Sequence, residues 1–328
     1  MVFIISEQAG ASKVHTDPVL HAIKDIISLQ MKQAQQKRLS KIAVIGGCEQ
    51  TGGGAYFAGL SVWNIGAHQS HVFCTNGAAP TLQSYNPKLI VVPKLDSIDC
   101  GNSAKDWIKD FDILVFGPGL GRNHQVLENV KKIICHAVDL EKSIIVDADA
   151  FRIVNDSPQI ISGYKKCILT PNKCEFWRLY ESVVNADDDQ SPPQKRQRLN
   201  VSTEYPTTSQ VQALANKLGG VTIVSKGPSD IITNGVSTMV CDRENSMTRC
   251  WGQGDVLSGS LGAFYSLLSN TGDSEHNEKY DRLLLAGYAA CFLTRECNHA
   301  GFRVHGRSLT TSDMVQSIHK IFKQYFSS

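Results

Sequence analysis

The chain has 328 residues, of which 42% are hydrophobic and 20% are charged, and its formal net charge is +2. These values are typical of a globular protein with a sizeable core. A nearly neutral charge gives no electrostatic basis for binding nucleic acid or an anionic membrane, and no run approaches the roughly 20 apolar residues of a membrane-spanning helix. We therefore expect neither kind of partner.

The 10 cysteines are scattered without a repeated CxxC spacing. Several of them lie in apolar runs, which favours buried free thiols in a reducing compartment over disulfides. The N-terminus shows no apolar signal-peptide core and no small-residue cleavage site. These features predict a cytoplasmic protein.

The first predicted element is a helix that begins at Asp17-Pro18, with the acid as N-cap and the proline in the first turn. Short apolar segments that end in turn or polar residues follow: IAVIGG (42–47), HVFCTNG (71–77), LIVVP (89–93), ILVFGPGLG (113–121), SIIVDADA (143–150), CILTPN (167–172) and TIVSKG (222–227). Such segments suit strands buried on both faces. Segments of helical length between them, such as 123–138 and 210–218, indicate an α/β protein with a mostly parallel sheet covered by helices on both sides.

The pattern changes after residue 227. Two β-prone runs around Asn234-Gly235 predict a hairpin with a two-residue turn, and helices are predicted near 256–268, 281–297 and 312–325. The polar segment 185–209, with three prolines and a KRQR run, is predicted to be a disordered insertion. A solvated loop is favoured over a nuclear address or a nucleic-acid contact. The whole chain, 1–328, is interpreted as one domain.

Glycine-rich turns that follow strands lie at the carboxyl ends of a parallel sheet, where ligands bind in open α/β folds. In GPGLGR (117–122), Gly119 and Gly121 allow close approach of the backbone to a ligand, although a plain strand-to-helix turn explains them equally well. IGGCEQTGGG (45–54) does not have the spacing of a dinucleotide-binding fingerprint, and no phosphate-binding P-loop is present. Among these turns, WGQGDVLSG (251–259) is the most specific.

In WGQGDVLSG, a glycine-rich turn opens a helix, so free N–H groups and the positive helix end favour an anion such as a transferring phosphoryl group. Asp255 would lie at the same place, where its carboxylate can accept a proton from a substrate hydroxyl. The alternative is that Asp255 is simply the N-cap of that helix.

Five motifs, GPGLGR, VDADAF, LTPNKCEF, SKGPSDIITNG and GQGD, together resemble the ribokinase-like superfamily and, within it, the NAD(P)H-hydrate dehydratase family. The resemblance covers roughly residues 17–322. It implies a three-layer α/β/α fold with a mostly parallel central sheet. It also implies that hydrated NADH and NADPH, the (6S)-hydrates, are repaired by ATP-dependent phosphorylation of the 6-hydroxyl and elimination of phosphate, with Mg²⁺ bridging the nucleotide phosphates.

The resemblance implies roles for particular residues. Asp255 would be the base, and Gly252 and Gly254 would form the anion hole for the phosphoryl group. Binding of the hydrated dinucleotide is implied for Gly119, Asn172, Lys173, Cys174, Glu175, Phe176, Trp177, Arg178 and Asp255. Nucleotide binding is implied for Lys226, Gly227, Pro228, Ser229, Asp230, Asn245, Ser246, Met247, Thr248, Arg249, Cys250, Trp251, Gly252, Gln253 and Gly254.

Several polar residues keep two interpretations. Asn172 and Glu175 are expected near phosphate and metal, although Glu175 is equally explained as a solvated acid in the first turn of a helix. Lys226 either pairs with phosphate or is a solvated lysine at a strand end. Asp147 and Asp149 either touch a metal or substrate or, for Asp149, cap the next short helix. No metal ligand is assigned.

The chain departs from the family at two places. TGGGAYF (51–57) lacks the family's proline, and the serine-histidine-lysine-glycine run before the first strand is missing from QMKQAQQKRLSK (30–41). Nicotinamide recognition and homo-oligomeric assembly therefore stay open. The alternatives are a small-molecule kinase of the same superfamily, such as a hydroxymethylpyrimidine or hydroxyethylthiazole kinase, and a catalytically silent nucleotide-binding protein. The choice between ATP and ADP as donor also stays open.

Overall fold

The structure, a computed structural model, describes residues 17–33, 40–184, 204–244, 246, 248–269 and 280–327. Its strands are β1 (Lys41–Ile45), β2 (Gln69–Cys74), β3 (Ile90–Pro93), β4 (Ile113–Phe116), β5 (Ser143–Val146), β6 (Cys167–Leu169), β7 (Thr222–Ser225), β8 (Asp230–Thr233) and β9 (Thr238–Cys241). They form one sheet in the order β3-β2-β1-β4-β5-β6-β7-β8-β9. Strands β1 to β7 run parallel to one another, whereas the pairings of β7 with β8 and of β8 with β9 are antiparallel. The predicted mostly parallel sheet is confirmed.

The α-helices of the described ranges are α1 (Pro18–Gln33), α2 (Gly52–Ile65), α3 (Ala79–Tyr85), α4 (Ala104–Ile108), α5 (His124–Asp139), α6 (Phe151–Asp156), α7 (Lys173–Val183), α8 (Thr208–Lys217), α9 (Gln253–Ser269), α10 (Arg282–His305) and α11 (Thr311–Tyr325). Asp17 accepts hydrogen bonds from the N–H groups of Val19 and Leu20, so the predicted N-cap of α1 is confirmed. No helix within these ranges combines the length and the apolar character needed to cross a membrane.

Alternate side chains of the strands pack into two hydrophobic cores, one on each face of the sheet. In β1, for example, Ile42 and Val44 join a core with α1, α2, α9, α10 and α11, whereas Ala43 and Ile45 join a core with α4 to α8. This alternation follows from the two-residue period of a strand. The result is the three-layer α/β/α architecture expected from the sequence.

The predicted hairpin is confirmed, but its turn is longer than expected. Thr233 of β8 pairs with Thr238 of β9, so four residues, 234–237, connect the strands instead of two. The side-chain oxygen of Asn234 accepts hydrogen bonds from the N–H groups of Val236 and Ser237, and Gly235 has φ 88°. This side-chain-to-backbone turn is a conformation that asparagine favours, and it occupies the additional residues.

Most of the predicted insertion 185–209 lies outside the described residues, which resume at residue 204. Its last part is structured: Thr207 is the N-cap of α8, and the indole nitrogen of Trp177 donates to the carbonyl oxygen of Glu204 at 2.9 Å. The prolines of this segment had suggested disorder up to residue 209. Pro206, however, lies directly before the helix cap Thr207, where a proline is compatible with an ordered chain.

The chain reverses its direction of travel across the sheet at β1, which pairs with β2 on one side and β4 on the other. In open α/β sheets, ligands bind beyond the carboxyl ends of the strands near such a reversal. The loops that follow β1, β4, β5, β6 and β7 come together at this end with the beginning of α9.

Candidate active site

Asp255 lies in the first turn of α9, as the third residue of the helix. Its backbone N–H donates to the carbonyl oxygen of Gly252 at 3.0 Å. The alternative that Asp255 is the N-cap is therefore wrong, because α9 already begins at Gln253. The carboxylate is accordingly not engaged in helix capping.

Gly252 and Gly254 surround this first turn. Gly252 has φ 91°, and a Cβ at this position would meet the hydroxyl oxygen of Thr311 at 2.8 Å, so the turn requires glycine. In the described part of the chain, the N–H groups of Gly252 and Gly254 donate to no protein acceptor. Free N–H groups at the positive end of a helix form a site for an anion, which agrees with the predicted anion hole.

Lys226 follows β7 and reaches the same turn, where its Nζ would lie 3.6 Å from a Cβ on Gly254. It is not solvated. Its Nζ donates to the carboxylate of Asp147 at 2.8 Å, and the hydroxyl of Thr170 donates to the same oxygen, also at 2.8 Å. Burial opposes the lysine's charge, but the carboxylates of Asp147 and Glu175 outweigh it and raise the pKa of Lys226.

Burial raises the pKa of Asp255 to about 7, and the nearby carboxylate of Asp147 adds to the shift. Lys226 acts in the opposite direction but does not cancel these effects. A carboxyl group with such a pKa is ionised in about half of the molecules at neutral pH and is basic enough to take a proton from a hydroxyl.

Two other acids, Asp149 and Glu175, line the same cavity wall as Asp255. The carboxylate of Asp149 accepts a hydrogen bond from the N–H of Gly121 at 2.9 Å, and it does not cap the following helix. Glu175 shares a capping box with Asn172 at the start of α7. Burial is the main cause that raises the pKa of Glu175, so the interpretation as a freely solvated acid does not fit.

Two cavities meet at the beginning of α9. The first, called the Asp255 cavity, has a volume of about 360 Å³ and contains Thr51, Gly119, Asp147, Asp149, Glu175 and Asp255 in its wall. The second, called the Arg295 cavity, has a volume of about 250 Å³ and contains Gly227, Asp230, Arg249, Gln253, Leu257 and Arg295. Asn172, Lys226, Gly252 and Gly254 line both. A group held by these four residues is therefore accessible from two sides.

The first predicted nucleotide segment, 226–230, is held in place by Arg295 of α10. The guanidinium of Arg295 donates to the carboxylate of Asp230 at 2.7 Å and to the carbonyl oxygens of Gly227, Pro228 and Arg243. Asp230 also accepts from the N–H of Gly227 at 2.9 Å. The carboxylate of Asp230 thus shapes the loop, and Pro228 and Ser229 line neither cavity.

The second predicted nucleotide segment, 245–254, divides between three places. Arg249, Cys250 and Gln253 line the Arg295 cavity, whereas Trp251, which is 72% exposed, lines the Asp255 cavity. Ser246 and Thr248 line neither; the amide of Asn298 in α10 binds both of them. The predictions for Asn245 and Met247 lie outside the described residues.

The predicted substrate segment, 172–178, consists of the N-cap and the first turns of α7. Only one face of this helix meets the cavity. Asn172, Glu175 and Arg178 line the Asp255 cavity. Phe176 is fully buried in a hydrophobic core, and the prediction that it binds substrate directly is wrong. The remaining residues, Lys173, Cys174 and Trp177, lie outside the wall of either cavity.

Gly119 lines the Asp255 cavity, but the direction in which a side chain would point is filled by the protein itself. A Cβ at Gly119 would lie 2.0 Å from the carbonyl oxygen of Thr51, and the residue has φ 59°. The hydroxyl of Thr51 in turn donates to the carbonyl oxygen of Gly119 at 3.0 Å. The same applies to Gly121, where Cys48 fills the space. These glycines are required because the loop before α2 packs on them.

Sequence reasoning missed several residues of the site. The start of α2 approaches Asp255, since a Cβ on Gly54 would meet the Asp255 carboxylate at 3.0 Å. Only the glycine run 52–54 hinted at such an approach. Arg152 and Asn155 of α6 and Arg295 of α10 carry no motif, so no sequence signal identified them.

The comparisons with known proteins agree with the motifs. A family model described as NAD(P)H-hydrate dehydratase matches residues 42–320. The chain is 39% identical over 307 residues to the ATP-dependent (S)-NAD(P)H-hydrate dehydratase of Pongo abelii, covering 94% of this chain and 89% of the relative. It is 38% identical over 328 residues to that of Danio rerio, covering 100% of this chain and 95% of the relative.

Solved structures show the same fold. A ribokinase-like superfamily protein from Enterococcus faecalis has a TM-score of 0.69 at 19% identity and covers 93% of this chain and 95% of its own. The ADP/ATP-dependent NAD(P)H-hydrate dehydratase of Bacillus subtilis, co-crystallized with ATP/Mg2+, has a TM-score of 0.62 at 18% identity, with coverages of 87% and 90%. The fold is therefore ribokinase-like, and the chain belongs to the NAD(P)H-hydrate dehydratase family.

Proposed function

We propose that the protein catalyses the ATP-dependent dehydration of (6S)-hydrated NADH and NADPH to NADH and NADPH. Near full-length relatives with this activity in their names support the proposal. The observation that carries it is the meeting of two cavities at Gly252 and Gly254, with Asp255 on one side only. This arrangement suits transfer of a phosphoryl group from a nucleotide in the Arg295 cavity to a hydroxyl in the Asp255 cavity.

In the first step, the 6-hydroxyl of the hydrated ring attacks the terminal phosphorus of ATP. The O–H proton passes to the carboxylate of Asp255, a bond forms between the hydroxyl oxygen and phosphorus, and the bond from phosphorus to ADP breaks. The N–H groups of Gly252 and Gly254, together with Lys226, stabilise negative charge on the phosphoryl oxygens as it passes. Asp147 and Thr170 hold the Lys226 side chain in position for this role.

In the second step, phosphate leaves and the ring regains its double bond. The bond between C6 and the phosphate oxygen breaks, C5 loses a proton to water while the C–O electron pair leaves with phosphate, and the C5–C6 double bond forms. Phosphate is a much better leaving group than hydroxide, which explains why dehydration needs ATP. The products are ADP, inorganic phosphate and the repaired dinucleotide.

Mg²⁺ is implied by the family and fits the residues present. Mg²⁺ prefers oxygen ligands and binds through one or two carboxylates together with substrate phosphates. Within the described residues, no cluster of three or more His, Cys, Asp or Glu side chains could hold a metal alone. Glu175 and Asp149, both in the wall of the Asp255 cavity, would hold the ion. When bound, it neutralises phosphate charge.

The kinase alternative differs only in the second step, because a kinase would release a phosphorylated product. The names of the relatives favour the dehydratase. The catalytically silent alternative is not favoured, because Asp255 and both glycines of the anion hole are present. The cytoplasmic location, the absence of nucleic-acid binding, the homo-oligomeric state and the single-domain organisation of residues 1–328 stay predictions.

The test is to incubate the protein with hydrated NADH and Mg²⁺ and to follow the return of absorbance at 340 nm, with ATP and ADP as separate donors. We expect recovery, and release of one inorganic phosphate for each dinucleotide repaired. Asp255→Asn should lower kcat by about 10²-fold or more, in line with loss of a general base. Phosphorylation without recovery of absorbance would support the kinase instead, and full activity of Asp255→Asn would refute the assigned base.

A further inference from the structure

One face of α6 lines the Asp255 cavity at positions that no family motif covers. Arg152 and Asn155 are three residues apart on this short helix, so their side chains are neighbours on one face. Both residues form part of the cavity wall, as does Arg178 of the adjacent helix α7. Two guanidinium groups and one amide are thus brought to the same cavity as the proposed base.

These three side chains have unused hydrogen-bonding capacity. The only ion-pair contact of Arg152 among the described residues is a loose one, with its Nε 3.8 Å from the carboxylate of Asp149. Arg178 is exposed and has no ion pair or hydrogen bond with any described residue. The Oδ1 of Asn155 is closed off from solvent and has no donor in the described part of the chain. The protein alone therefore does not satisfy this cluster.

The electrostatics of the cavity explain why such a cluster is needed. Asp147, Asp149, Glu175 and Asp255 place four carboxyl groups in the wall, and the charge of Lys226 is already paired with Asp147. A hydrated dinucleotide carries a pyrophosphate, and the NADPH form carries an additional 2′-phosphate. Such an anion would be repelled by the carboxylates unless cations bind it. The Mg²⁺ proposed at Glu175 and Asp149 is shared with the nucleotide phosphates, so Arg152 and Arg178 are the side-chain cations of the described wall that stay available for the dinucleotide.

We propose that Arg152 and Asn155, together with Arg178, form a subsite for a phosphorylated ribose of the hydrated dinucleotide. The guanidinium groups bind phosphate oxygens, for which their fork of N–H donors is suited. The amide nitrogen of Asn155, which is not among the closed-off atoms, donates a hydrogen bond to a ribose hydroxyl oxygen. This inference rests on the proposed function, because it assigns the acceptor substrate to the Asp255 cavity.

The test measures binding and turnover separately. Dissociation constants for NADH and NADPH are measured by fluorescence with wild type, Arg152→Ala and Asn155→Asp; KM values for the two hydrated forms and for ATP are then measured. We expect both variants to weaken dinucleotide binding on the order of tenfold, as is typical for loss of a charged hydrogen bond. KM for the hydrated dinucleotide should rise by a similar factor, whereas KM for ATP should stay within twofold.

The matched control is Arg303→Ala, because Arg303 is an exposed arginine of α10 that lines neither cavity. It should bind both dinucleotides like wild type. A loss confined to NADPH identifies the 2′-phosphate as the bound group, and an equal loss for NADH and NADPH identifies the pyrophosphate. Changes below twofold for both dinucleotides would overturn the subsite. Because binding is measured without turnover, that result is distinguishable from failure of the proposed dehydratase activity.

Discussion

At the scale of the residue, the proposed chemistry depends on one carboxyl group that the fold half-buries in the wall of a cavity. Asp255 is placed in the first turn of a helix, where free N–H groups favour an anion, yet burial and the neighbouring Asp147 raise its pKa to about 7. The helix end would lower the pKa of Asp255, but burial and the other carboxylates in the same cavity wall raise it by more. The group is therefore a base that responds to pH in the physiological range.

This pKa predicts the pH dependence of the reaction. Only ionised Asp255 can accept the hydroxyl proton, so kcat/KM for hydrated NADH, measured at saturating ATP and Mg²⁺, should fall as pH decreases through about 7. Well below that pH, the decrease should approach tenfold for each pH unit. The measurement is the initial rate at 340 nm between about pH 5 and pH 9. A rate that stays constant down to about pH 5 would show an ordinary aspartate pKa.

The sequence indicated the proposed reacting residues more readily than their surroundings. GQGD identified Asp255, Gly252 and Gly254, because a glycine-rich turn at a helix start has a direct chemical meaning. The side-chain cluster of Lys226, Asp147 and Thr170 forms only when the loops after β5, β6 and β7 come together, which no local pattern reports. Phe176 was misassigned because all residues of the motif 172–178 were assigned to substrate binding. On a helix only one face can reach the cavity, and Phe176 lies on the face that packs in the core.

At the scale of the element, α9 combines the site with the centre of one core. Its residues from Val256 to Ser266 are all buried, and its largest contacts are with α2 and α10. Gly259 allows the close approach to α2, since a Cβ there would lie 2.1 Å from the carbonyl oxygen of Ala58. Gly254 has no such restriction, because Lys226 Nζ at 3.6 Å is an ordinary contact distance.

This difference predicts opposite effects for two glycine-to-alanine changes on the same helix. Gly259→Ala should lower the free energy of unfolding by about 1–3 kcal/mol or more through overpacking against α2. Gly254→Ala should fold normally, with Tm within about 1 °C of wild type, which for a chain of this length corresponds to less than about 1 kcal/mol. Its methyl group would, however, occupy the path of the phosphoryl group, so kcat should fall by about tenfold or more, a loss typical of impaired phosphoryl stabilisation.

Thermal unfolding and the repair assay on the two variants distinguish these effects. Normal activity in Gly254→Ala would show that the phosphoryl group does not pass beside this residue. An unchanged Tm in Gly259→Ala would contradict the packing of α9 on α2.

The elements themselves were largely predictable. All seven predicted strands are present, because short Val- and Ile-rich runs that end in turn residues are typical of buried parallel strands. The sequence located the starts of α1 and α10 to within a residue or two. Both helices begin with a capping aspartate, Asp17 and Asp281. The four-residue turn of the hairpin was not, because it depends on a side-chain hydrogen bond of Asn234 rather than on the Asn-Gly pair alone.

At the scale of the whole molecule, the two cavities place donor and acceptor on different sides of the residues that line both. The cavities share only four lining residues, so we expect each substrate to enter its own cavity. In the proposed mechanism the phosphoryl group passes directly between two bound substrates, and Asp255 takes a proton rather than a phosphoryl group. The glycine-rich turns that follow the strands of a parallel sheet predicted a ligand site at this edge. They did not predict its division into two cavities.

The division predicts sequential kinetics. Initial rates measured at several fixed concentrations of ATP should give intersecting double-reciprocal lines when hydrated NADH is varied, because both substrates must be bound together. Parallel lines, or ³²P that stays on the protein after incubation with labelled ATP alone, would indicate a phosphorylated enzyme. Asp255→Asn provides the control for labelling, since it removes the carboxylate that would carry such a group.

The packing of α9 between α2 and α10 also bears on how the protein is made. Thr51, Gly119, Lys226 and Asp255 come from widely separated parts of the chain, and α10 must dock before Arg295 can order the loop at Gly227. During synthesis the N-terminal part folds first. A chain that ends before α10 lacks Arg295, so the loop at Gly227 is not held in place and the Arg295 cavity is incomplete. In the proposed mechanism, we therefore expect use of ATP to begin only when α10 has docked.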